Sequence, residues 1–75
     1  MSGRYIVVFK DSVSLDDVKK YADEVNANGG EVGNHFDTLL KGFSATIPES
    51  YLQQLQSYQG SVIDYIEPDS TVTIQ

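Results

Sequence analysis

The chain has no cysteine, which excludes disulfides, thiolate metal sites and a cysteine nucleophile together. So short a chain without covalent staples must be held by its core alone, and the missing disulfide framework points to a reducing compartment, the cytoplasm. Long apolar runs are missing too. Nothing approaches the ~18 consecutive apolar residues of a membrane span, and only Tyr5 to Phe9 separates Arg4 from Lys10 and Asp11, too little for the apolar region of a signal peptide. Positive charge is equally scarce. Five Lys and Arg against eleven Asp and Glu give a formal net charge of −6, which repels phosphate backbones and anionic lipid. The expectation is a soluble protein that binds neither nucleic acid nor membrane.

Chemistry-bearing clusters are also thin. His35 is the single histidine, and with no cysteine or second histidine it makes neither a recognisable metal site nor an ordinary triad. The glycines have no phosphate-cradling spacing and mark turns. Asp11, Asp16, Asp17, Asp23 and Glu24 fall on loops and a helix surface, where charge serves solubility. A chain of 75 residues has little room for a cleft in which two carboxylates converge. Tyr5, Phe9 and Phe43 imitate the stacking platform of an RNA-binding sheet, but too few cations accompany them. No enzyme, metal or cofactor is expected.

What is present is a regular alternation of element signals in one domain spanning residues 1–75. Tyr5-Ile6-Val7-Val8-Phe9 is a β-branched and aromatic run, apolar on both faces of a strand. Ser14 is placed to cap a helix with Asp17 three residues on, and Leu15, Val18, Ala22 and Val25 recur at helical spacing until Asn28-Gly29-Gly30. Glu31 to Phe36 reads as a weak edge strand. Phe43, Ala45 and Ile47 alternate with small polar residues, the mark of a one-sided strand. Pro48 and Glu49 open a shorter helix carrying Leu52 and Leu55, stopped by Gly60. Val62 to Ile66 is a fourth strand, with Pro68 just beyond it expected to end regular pairing.

This order is the split strand-helix-strand pattern: an α+β, ferredoxin-like βαββαβ fold with a four-stranded antiparallel sheet and both helices on one face. Nothing remains to cover the other face, to which the first strand presents either Ile6 and Val8 or Tyr5, Val7 and Phe9. A half-exposed strand and a face that docks on another protein both agree with that pattern. At the chain's end, Glu67 and Asp69 are spaced to point the same way in an extended stretch, where they can accept hydrogen bonds from a partner's helix N-termini or simply serve as surface charge. Val72 and Ile74 then alternate with Thr71, Thr73 and Gln75, a tail at residues 70–75 suited to pairing with another protein's edge.

The opening Tyr5-Ile6-Val7-Val8-Phe9-Lys10, the Gly29-Gly30 break, Lys41-Gly42-Phe43 and the run Val62-Ile63-Asp64-Tyr65-Ile66-Glu67-Pro68-Asp69 together resemble the family of subtilisin propeptides and their free-standing fungal relatives, the small proteinase inhibitors. The likeness covers residues 4–75. It implies a protein that docks its open sheet face on two surface helices of a subtilisin-like serine protease, with Glu67 and Asp69 as helix-capping carboxylates. It also implies that the tail lies in the substrate cleft, with Gln75 in the primary specificity subsite, Ile74 in the second, Thr73 in the third and Val72 in the fourth. Inhibition would then be product-like and require no chemistry. Pro68 stands where relatives commonly have an acidic residue, and Gln75 is not the large apolar end many subtilisins prefer, which shifts weight to Val72 and the sheet. With no protease following Gln75 and no signal peptide, a stand-alone inhibitor, monomeric when free, is expected over the alternative of a propeptide acting as intramolecular chaperone. A homodimerising ferredoxin-like module is the other alternative.

Overall fold

A strand that is apolar on both sides belongs in the interior of a sheet, and Tyr5 to Phe9 lies there. In the computed structural model, which describes residues 2–37 and 39–69, the elements are β1 (Ser2–Phe9), α1 (Leu15–Ala27), β2 (Glu31–Phe36), β3 (Lys41–Pro48), α2 (Glu49–Gln56) and β4 (Ile63–Pro68). The sheet runs β2-β3-β1-β4, and each neighbouring pair is antiparallel. The expected ferredoxin-like order is therefore present, with the weak strand β2 at an edge.

Register decides which side of β1 is the core. Tyr5, Val7 and Phe9 lie opposite Ala45, Phe43 and Lys41, and Val7, Phe9, Phe43, Ala45, Ile47 and Ile63 form one buried cluster with Val18, Ala22 and Val25 of α1 and Tyr51, Leu52 and Leu55 of α2. Both helices therefore cover the same face. Phe9 is its aromatic centre, with ring centroids 5.7 Å from Phe43 and 5.3 Å from Tyr21, spacings that favour edge and tilted ring contacts.

The local rules that start and stop the helices hold with two adjustments. The Ser14 hydroxyl accepts from the Asp17 amide at 3.2 Å, and α1 ends where Gly29 turns left-handed at φ 91° and the Gly30 amide returns to the Val25 carbonyl at 2.9 Å. Leu15, expected inward, is 49% exposed. Val13, just ahead of the cap, is buried with Val18 instead, so the hydrophobic staple across the cap occupies the place assigned to Leu15. Pro48 is the N-cap of α2 with an extended ψ of 145°, so it closes β3 and precedes the first helical turn.

The two helices are joined by a hydrogen bond from the Tyr51 phenol to the Glu24 carboxylate, 2.9 Å long. Burial first, and that bond second, push the Tyr51 phenol well above its ordinary titration range. Lys41 closes the far end of the sheet, its Nζ donating to the carbonyls of Asp11 and Val13 at 2.7 Å each.

Candidate functional site

Residues of opposite parity to the core set share the uncovered face. β1 contributes Arg4, Ile6 and Val8, in register with Thr46, Ser44 and Gly42 of β3, while Glu67 and Tyr65 of β4 lie opposite Ile6 and Val8. Phe36 of β2 faces Gly42. Of the two arrangements open to the first strand, the structure therefore turns Ile6 and Val8 to this side. Ile6, Val8, Phe36 and Tyr65 stand outside the core cluster on a face that no helix covers among the described residues. Val8 is nevertheless buried, Ile6 and Phe36 are half-buried, and Tyr65 is the exposed member of the set. Tyr65 is 38% exposed. Leu39 and Leu40, in the connection between β2 and β3, border a shallow depression with Val8 and Tyr65 and extend the apolar surface at that end.

Polar groups frame this centre. Ser44, buried in mid-face, accepts from the Asn34 amide at 3.3 Å, which ties β3 to β2 across the irregular register between Val32 and His35. Glu67 is exposed on the edge strand β4. Asp69 follows on the same face, opposite Arg4: its amide donates to the Arg4 carbonyl at 3.0 Å, and its Oδ2 lies 3.6 Å from the Arg4 Nε. The Asp69 side chain is only 9% exposed against 49% for Arg4.

These positions correct one expectation and fill a gap. Pairing does not end at Pro68, which lies within β4 opposite Tyr5. Because Arg4 and Asp69 form a hydrogen-bonded pair, the neighbouring Tyr5 and Pro68 form the other kind of pair in the antiparallel alternation, where backbone donors point away from the partner strand. Pro68 therefore forfeits no ladder bond on this edge. Arg4, which precedes the apolar run Tyr5 to Phe9, is inside β1 and partners Asp69. Its only signal was being the chain's sole arginine; the pairing appears once the strands are in register.

Of the residues assigned to a site, Glu67 and Asp69 are thus brought to one face and separated in environment, one exposed and one engaged with Arg4. Val72, Thr73, Ile74 and Gln75, and the whole segment 70–75, lie outside the described residues. His35 is exposed and packs its ring against Phe43 at 6.2 Å between centroids. Among the described residues, no three His, Asp or Glu side chains converge as a metal ion would require. The surface is suited to protein contact: an apolar centre, a polar frame and a carboxylate at the rim.

Comparison with known proteins gives this surface a context. Residues 4–75 match the model of the family described as peptidase inhibitor I9. The chain is 40% identical over 75 residues to serine proteinase inhibitors IA-1 and IA-2 of Pleurotus ostreatus, with 99% of both chains covered in each case. It is also 37% identical over 65 residues to an uncharacterized protein of Schizosaccharomyces pombe, spanning 87% of this chain and 82% of that one.

Proposed function

Because the chain belongs to the peptidase inhibitor I9 family, we propose that it is a protein inhibitor of subtilisin-like serine proteases, acting by docking and not by chemistry. The observation that carries this reading is the uncovered sheet face, with Ile6, Val8, Phe36 and Tyr65 at its centre and Glu67 on its rim. Val8 is already buried within the chain, and what a partner would add is burial of Tyr65 and of the half-buried Ile6 and Phe36. Helices of a protease fit the face, because exposed N-terminal amides there attract the carboxylates Glu67 and Asp69.

From that docked body the tail Val72 to Gln75 runs into the substrate cleft in the direction of a substrate's acyl half. Gln75 takes the primary subsite, Ile74 and Thr73 the next two, and Val72 the fourth. Protease backbone groups pair with the extended tail. With Gln75 at the nucleophile, a chain ending there is held as a product is, its carboxylate beside donors arranged for negative oxygen. Tethering to the docked sheet keeps the tail at high effective concentration, which a free peptide of the same sequence lacks.

Titration of a purified subtilisin with the intact chain and with a variant lacking Val72 to Gln75 tests this reading. Stoichiometric inhibition by the first and its loss in the second are expected. Equal inhibition by the shortened chain would sink the cleft-occupying mechanism. Sedimentation at micromolar concentration should give a monomer; a stable dimer hiding Ile6 and Val8 would favour the homodimerising module instead.

A further inference from the structure

We infer that Asn28-Gly29, at the C-terminal end of α1, is a site of spontaneous covalent modification by deamidation, its rate set by opening of the helix cap. The inference stands apart from the proposed function. Asn28-Gly29 is the one asparagine-glycine step in the chain, and glycine, with no Cβ, leaves its amide nitrogen open to the preceding side chain. The reaction needs only water. The Gly29 nitrogen attacks Asn28 Cγ, the Cγ–Nδ2 bond breaks, and ammonia leaves with the Gly29 amide proton, closing a five-membered imide. Water then opens either imide carbonyl, giving aspartate where the Cγ–N bond breaks and isoaspartate where the backbone C–N bond breaks.

The folded cap opposes ring closure. Asn28 has ψ 22°, which swings the Gly29 nitrogen to the far side of the Cα–C bond from Cβ, whereas the imide requires the two to eclipse. The side chain is also held away: its Nδ2 donates to the Glu24 carbonyl at 2.7 Å. The Asn28 amide donates to the same carbonyl at 3.0 Å, and the Gly30 amide to that of Val25 at 2.9 Å. Asn28 and Gly29 are exposed, so the cap protects them and burial does not, and a helix end opens locally at small free energy. The product does not rebuild what it replaces. A carboxylate at position 28 only accepts, and it faces the carbonyl end of a helix whose last turn has no basic residue. Isoaspartate lengthens the backbone just ahead of the left-handed Gly29, φ 91°. The same helix end is tied to β2 by the Asn26 Oδ1, which accepts from the Val32 amide at 3.1 Å, so a loosened cap reaches the sheet edge.

The test incubates the full chain in mildly alkaline buffer, folded and in guanidinium chloride, and follows it by peptide mapping in the mass spectrometer with an isoaspartate assay. The mass gain of an amide-to-acid conversion should map to Asn28 and not to Asn26 or Asn34, and should accumulate at least about tenfold more slowly in the folded chain. Asn26→Ala, which removes the tie to β2, should speed the reaction at Asn28 in the folded chain. Asn28→Gln, which keeps an amide but does not close the five-membered ring, should stay unmodified. Asn28→Asp should fold with a denaturation midpoint about 4 °C below the parent's. Equal rates in folded and denatured chains would overturn the gating by the cap. Modification that maps to Asn26 or Asn34 would overturn the site, and an unchanged midpoint in Asn28→Asp would overturn its consequence for the fold.

Discussion

The two faces of one sheet are built to different ends. On the helix side Val7, Phe43, Ala45, Ile47 and Ile63 are all fully buried, and their neighbours come from both helices, so that face carries the fold. On the other side the same strands present Ile6, Val8 and Tyr65 beside Arg4, Ser44 and Glu67. Apolar groups there are flanked by polar ones, and although Val8 is buried, Tyr65 stays exposed and no helix among the described residues covers them. A sheet that needed only to be stable would carry polar residues on its solvent face. The proposed docking uses this apolar surface, and the contrast predicts that substitutions on the two faces separate stability from binding.

The most severe way to break that contrast is from the covered side. Phe43→Ala removes a fully buried ring that packs against Phe9, and should cost about 3–5 kcal/mol, read as a shift in the denaturation midpoint. A chain this small has little stability to spare. The variant should lose inhibition through its unfolded fraction and be cleaved by the protease it meets, visible as fragments over hours of incubation. On the open side, Tyr65→Ala should weaken inhibition by about 1–2 kcal/mol, in the range of a contributing interface aromatic, with a far smaller change in the denaturation midpoint. A large loss of stability in this variant would show that the open face also carries the fold.

How much of this was legible beforehand depends on the pattern each feature leaves in sequence. Element order was readable because the caps and breakers Ser14 and Gly29-Gly30 act locally, and because Phe43, Ala45 and Ile47 alternate cleanly; α2, by contrast, ends at Gln56 with Ser57 as its C-cap, ahead of the Gly60 expected to stop it. The direction of β1 was not, since Tyr5 to Phe9 is apolar at both parities and only its pairing with Phe43 and Ala45 assigns the faces. The exposure of Leu15 was hidden for a related reason: Val13, one residue outside the helix, competes for the same core position, and helical periodicity alone does not weigh a residue beyond the cap. The placement of Glu67 and Asp69 on one face was legible from their spacing. The difference between them was not, because the engagement of Asp69 depends on Arg4, distant in sequence and adjacent in space only through strand register. Pro68 misled for the opposite reason, since whether a missing donor matters depends on which way that donor would have pointed.

A milder probe of the covered side is alkaline pH. The Tyr51 phenol titrates above its ordinary value of 10.0 in the folded chain, chiefly through burial and then through the bond to Glu24. Its stabilising contribution is fully present below the unfolded value and is lost as pH rises toward the folded one, because the unfolded chain releases the proton first. Stability should therefore fall by about 1 kcal/mol between pH 10 and pH 11. Tyr51→Phe should flatten that slope without abolishing it, since Tyr21 is displaced in the same direction. Denaturant titrations at the two pH values measure it, and an unchanged slope in Tyr51→Phe would remove Tyr51 from the account.

The smallest effect is the sharpest separation of the faces. Glu67 is exposed at the rim, so Glu67→Gln should leave the denaturation midpoint unchanged within error. If its carboxylate meets a helix N-terminus of the protease, the same substitution should weaken inhibition by about 0.5–1 kcal/mol at low ionic strength. The difference should shrink as salt is raised, because a rim charge is screened over a Debye length of about 8 Å at physiological ionic strength. Tyr65→Ala, an apolar loss, should show no such salt dependence. Measuring both variants across a salt series therefore separates the apolar centre of the open face from its charged edge. A salt-independent Glu67→Gln effect would mean that the glutamate contributes through packing and not through charge.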